Sequence, residues 1–68
     1  MTTDHMVHMA NQIALFFASY PHEEAVAGIT DHFRKSWERR MRDQIKQYVA
    51  QGGGGLHDLV QEAVKRLD

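Results

Sequence analysis

The chain has no cysteine, a single proline and almost no net charge, and each scarcity closes off a class of protein. Without cysteine there are no disulfides, no thiolate metal sites and no cysteine-ligated iron–sulfur clusters. A formal net charge of −1 argues against a dedicated nucleic-acid binder, which is normally clearly basic. The longest apolar run, Ile13 to Ala18, is far too short to span a bilayer. The opening "MTTDHMVHM" holds an acid and neither arginine nor lysine, so it reads as neither a secretory signal nor a transit peptide. These features together suggest a soluble cytoplasmic protein. No stretch alternates with period two over a useful length, so no strand is expected.

Glycine and aromatics are what the chain does have. At 68 residues it forms one domain at most, and below about 70–80 residues a single core rarely supplies more than about 3–5 kcal/mol. Disulfides being unavailable, a partner is the leading source of reinforcement. Helix one is expected over about 6–18, with Thr2, Thr3 or Asp4 as cap. Met6, Met9, Ala10, Ile13, Phe16, Phe17 and Tyr20 make its amphipathic stripe. Tyr20 precedes Pro21 and is pushed toward extended geometry, which ends the helix.

Helix two restarts with Pro21 as first helical position and Glu23 and Glu24 in the first turn. Its inner face is Ala25, Val26, Ile29 and Phe33, and Arg34 and Lys35 stand near its end. Gly28 lies inside it at a cost of about 1 kcal/mol relative to alanine, which a close helix crossing would explain. Helix three covers about 39–51, capped by Ser36 or Glu38, with a stripe of Trp37, Met41, Ile45, Tyr48 and Val49. Gly52 is a natural stop, and glycines 52–55 form a linker permissive of left-handed turns. A short fourth helix follows, with Leu56, Leu59, Val60, Ala63 and Leu67 on one face. The expected fold is all-α: a small, hairpin-like bundle of three longer helices plus a short C-terminal one, in one domain over 1–68.

Candidate chemistry is sparse. "QGGGGLHD" has no Lys-Ser/Thr behind it and so fails the phosphate-loop pattern; a helix linker is the better reading. His5 and His8, or Asp4 and His8, share a helix face, but no framework supplies further metal ligands, so a solvated polar face is preferred. His22 and His32 read as helix-surface or interface groups, and no nucleophile has a partner set. No catalytic, cofactor-binding or metal-binding residue is assigned.

Interfaces are better supported. Arg34, Lys35, Arg39, Arg40, Arg42 and Lys46 hold most of the basic residues in a short span that also contains Trp37 and Met41, types enriched at interface cores. Arg39, Arg42 and Lys46 align on one helix face, suited to docking on carboxylate or phosphate; a solvated face is the plain alternative. Phe16 and Phe17 point about 100° apart, so a small core does not easily take both rings. One is expected to face the bundle and the other a partner; a wide internal stripe is the competing answer. The expected partner-binding residues are therefore Phe16, Phe17, Tyr20, His22, Trp37, Arg39, Met41, Arg42 and Lys46.

"MANQIALFF", "PHEEAVAGITDHFRKSW", "RRMR", "GGGGL" and "LVQEAVKRL", in this order, closely resemble the small delta subunit of soluble, NAD-dependent, molybdenum-containing formate dehydrogenases. The resemblance covers about Met6 to Leu67. Ser36 before Trp37 and Glu38-Arg39 after it depart from the family pattern; MANQI and PHEEAVAGI are untouched. The resemblance implies a non-catalytic accessory subunit that docks on the large molybdenum-containing subunit and supports assembly or stability of the holoenzyme. It also implies that bis-molybdopterin guanine dinucleotide, iron–sulfur clusters, FMN and the NAD site belong to the other subunits. A homo-oligomeric helical adaptor, self-associating through exposed aromatics, is the alternative; a helix-turn-helix nucleic-acid binder and a metalloprotein rank below it.

Overall fold

The computed structural model describes residues 2–67 and contains four α-helices and, among the described residues, no strand. Helix α1 spans Thr3–Phe17, α2 His22–Ser36, α3 Arg39–Ala50 and α4 Asp58–Lys65. Three long helices and a short last one match the expected bundle. The Cα radius of gyration, 10.6 Å, equals the roughly 11 Å of a compact folded chain of this length.

Local chemistry sets most boundaries. The Thr2 hydroxyl accepts the His5 N–H at 3.1 Å and so caps α1. At the other end the Ala18 and Tyr20 N–H groups reach the Leu15 and Phe17 carbonyls at 3.4 and 3.0 Å, tightening the last turn before Pro21 forbids its continuation. Pro21 is the N-cap of α2 rather than its first helical residue, with extended backbone (φ −53°, ψ 147°) and a carbonyl that accepts the Ala25 N–H at 2.9 Å. Ser36 is the last residue of α2, and Glu38 caps α3 without a side-chain hydrogen bond. Trp37 therefore sits at the corner between the two helices, outside the α3 stripe to which its spacing assigned it.

Helix α3 closes with a Schellman arrangement. The Gly53 N–H reaches the Tyr48 carbonyl and the Gly52 N–H the Val49 carbonyl, both at 3.0 Å. Gly52, Gly53 and Gly55 all have positive φ (120°, 62° and 82°), so the glycine run is a defined left-handed turn held in place, not a slack tether. Asn11 of α1 clips it with both ends of its amide. Its Nδ2 donates to the Gly55 carbonyl and its Oδ1 accepts the His57 N–H, both at 2.9 Å. Gln61 Nε2 adds donations to the Gly53 and Leu56 carbonyls, and the Tyr48 hydroxyl donates to the Gly54 carbonyl. His57 Nδ1 then accepts the Leu59 N–H at 3.1 Å and caps α4.

The short helix is the hub. Helix α4 packs on α2 most extensively and also on α3 and α1. Its Val60, Ala63 and Val64 are buried, whereas Leu56 and Leu67 flank the helix instead of extending its face. Eight residues of helix are marginal in water alone, so this element exists because its neighbours cover it. The core is Met6, Ala10 and Ala14 of α1, Val26, Ile29 and Phe33 of α2, Ile45 of α3 and the α4 valines, closed by Trp37 and Leu56. Thr30, the one buried polar residue among those described, places its hydroxyl 2.8 Å from the Val26 carbonyl and 3.2 Å from that of Ala63, so a single donor serves both helices.

Candidate partner interface

The centre of the buried face of α1 runs through Met6, Ala10 and Ala14, four residues apart, and small alanines let neighbouring backbones close in. The larger members of the stripe are displaced to its flank. Met9, Ile13 and Phe17 are half-buried against the core, while Phe16 is 69% exposed and Tyr20 48% exposed. The adjacent phenylalanines thus divide as geometry requires: Phe17 against the bundle, Phe16 to the outside. Their rings meet edge-to-face at 5.1 Å, and Tyr20 lies 5.5 Å beyond Phe17.

Phe17 explains Gly28. A Cβ at position 28 would lie 2.5 Å from Cε1 of that ring, closer than carbon atoms approach, so the glycine makes room for a ring laid on α2. Beside it Ile13, Phe16, Phe17 and His32 line a shallow, almost wholly apolar groove of 250 Å³. Leu15, also 63% exposed, lies off the stripe.

The basic residues form a second surface. Arg34, Arg39, Arg42 and Lys46, with Asp43 and Leu67, line an open groove of 610 Å³. Arg42 Nη1 donates to the Arg34 carbonyl at 3.2 Å and Arg34 Nη2 to the Arg66 carbonyl at 3.3 Å, so each guanidinium satisfies a helix-end carbonyl. Arg39 stands in water with Asp43 at 3.9 Å. Arg40 is exposed, off this groove.

Three expected contact residues have internal roles. Trp37 is only 4% exposed and packs its indole on Phe33 with centroids 4.6 Å apart, so it is a core residue and offers no open docking face. Its position at the α2–α3 corner folds it inward, where the bundle needs volume. Met41 is half-buried against the core. His22 Nε2 meets Glu62 Oε2 at 2.8 Å and ties the start of α2 to α4. Next to it Arg66 Nη2 donates to both oxygens of Glu23, at 2.8 and 3.2 Å. That hydrogen bond and the nearby positive charge hold the Glu23 carboxyl below the usual carboxylate range, and raise Arg66 in turn.

Among the described residues no three His, Cys, Asp or Glu side chains gather as a metal site, and no helix is long and apolar enough to cross a membrane. No curated protein sequence and no solved structure matches the chain. The family model described as NADH-dependent formate dehydrogenase delta subunit FdsD matches residues 5–64.

Proposed function

Since the chain belongs to the family of NADH-dependent formate dehydrogenase delta subunits, we propose that it is a non-catalytic accessory subunit that docks on the molybdenum-containing catalytic subunit and supports assembly or stability of the active holoenzyme in the cytoplasm. Its contribution is surface, and the redox centres, FMN and the NAD site are carried by other subunits. The observation that carries this reading is the exposed aromatic edge. The core already holds Phe33 and Trp37, yet Phe16 stands outside it next to an apolar groove. Burying such a ring is worth about 1.5–3 kcal/mol, a gain that the folded chain leaves uncollected until a second surface covers it.

The test is co-expression of the chain with the other subunits, followed by co-purification and formate oxidation. Phe16→Ala should leave the isolated chain folded at a cost of about 0.5–1.5 kcal/mol, because the residue is 69% exposed and loses its edge-to-face contact with Phe17. It should weaken binding by at least about 2 kcal/mol, roughly thirty-fold in Kd. Parental affinity in a folded Phe16→Ala variant would refute the docking face. The same edge also favours self-association of the isolated chain, and sedimentation of parent and variant separates the two readings. A dimer abolished by Phe16→Ala, with retention in the complex unchanged, would assign the edge to self-association.

A further inference from the structure

We infer that the basic groove between the end of α2, helix α3 and the chain beyond α4 receives an acidic segment of a partner polypeptide, with Arg34, Arg39 and Arg42 holding its carboxylates. This deepens the accessory-subunit reading and rests on it for the partner, though not for the groove's chemistry.

Charge comes first. Among the described residues, four cations line the groove and Asp43 is the one carboxylate. The chain as a whole carries −1, so this excess is local. Orientation comes second. Arg42 and Arg34 are each anchored by one hydrogen bond to a backbone carbonyl. A guanidinium has five N–H donors in a rigid fork, so anchoring one leaves the others directed and able to take a carboxylate in bidentate fashion with less ordering cost. Arg39, whose side chain is 88% exposed and only loosely met by Asp43 at 3.9 Å, is free to close over an incoming acid.

Shape decides the occupant. Sites for small molecules enclose most of their ligand. This groove is broad and open, and Leu67 adds an apolar residue to a lining that is otherwise charged. Carboxylates spaced along a peptide engage several of the guanidiniums together, and an apolar residue among them covers Leu67. A long polyanion such as a nucleic acid would also run over the carboxylates beside the cluster, Asp31, Glu38 and Asp43, all exposed. Location matters as well. His32 lines the apolar groove and Arg34 the basic one, and two positions along a helix turn about 200°. The two surfaces therefore flank α2 on opposite sides, and a partner on one leaves the other open.

The test uses the full chain with three probes: hexaglutamate, inorganic phosphate and a mixed-sequence DNA duplex, each followed by NMR at the arginine side-chain N–H signals. Hexaglutamate should shift the signals of Arg34, Arg39 and Arg42, and the shift should shrink as salt rises. Arg39→Glu, a change at an exposed position that leaves the helix-capping arginines in place, should weaken it about tenfold. Absence of a shift with hexaglutamate, an equal response to phosphate or DNA, or an unchanged response in folded Arg39→Glu would each overturn the inference. With the formate dehydrogenase subunits, Arg39→Glu should slow association about three- to tenfold at low salt and much less at high salt. If the parent joins the complex and Arg39→Glu joins it at the same rate, the groove inference fails and the accessory reading stands. If the parent does not join, the accessory reading fails, and the peptide titration still decides the groove's chemistry.

Discussion

Replacing Gly28 by alanine tests whether the α1–α2 contact is as close as it looks. In an exposed helix interior this change stabilises by about 1 kcal/mol, because alanine gives up less backbone freedom. Here the new Cβ would meet Cε1, Cδ1 and Cζ of Phe17 at 2.5, 2.9 and 3.0 Å. A phenyl ring is rigid, so it must swing away as a unit or push α1 from α2; overpacking of this kind costs about 1–3 kcal/mol. Net destabilisation of about 0–2 kcal/mol is expected, in place of the usual gain. The decisive measurement is a double-mutant cycle with Phe17→Ala, by urea denaturation followed through helical circular dichroism. Once the ring is gone, Gly28→Ala should recover its gain of about 1 kcal/mol, giving a coupling energy of about 1–3 kcal/mol. Effects that add to within about 0.5 kcal/mol, or an upward Tm shift in the parent background, would refute the close contact. Because Phe17 also lines the apolar groove, Gly28→Ala should lower affinity for the partner complex even where its effect on stability is small.

Two further outcomes follow from the described contacts. Asn11→Ala removes the clip between α1 and the glycine turn, taking the amide partner from the His57 N–H and the Gly55 carbonyl; a loss of about 1–3 kcal/mol is expected, read as a Tm drop of about 4–8 °C per kcal/mol. Glu23 has a folded pKa held below its unfolded value by Arg66, so its contribution is present above the unfolded carboxylate value of about 4.3 and is lost as pH falls through the lower folded value. Glu23→Gln should therefore flatten the acid limb of a stability–pH curve, and added salt should shrink the difference between parent and variant, since both partners are exposed.

The helices and most of their ends were legible in the sequence because they depend on neighbours a few residues away. Thr2 caps its own helix, Tyr20-Pro21 stops one helix and opens another, and Gly52 and Gly53 end a third. The division of Phe16 from Phe17 was equally readable, since adjacent helix positions cannot share one narrow face. The hub role of α4, the Asn11 clip and the inward Trp37 were not readable, because each depends on residues far apart in sequence that come together only when the bundle closes. Periodicity says that a residue is apolar on some face; it does not say which face meets the interior. The same limit applies to the surfaces. The sequence by itself determined that the chain is helical and richer in aromatics and clustered arginines than its small interior requires. Only the packing of α2 between two unlike grooves decided which rings and which guanidiniums remain outside, because exposure is a property of the whole assembled surface and not of any one segment.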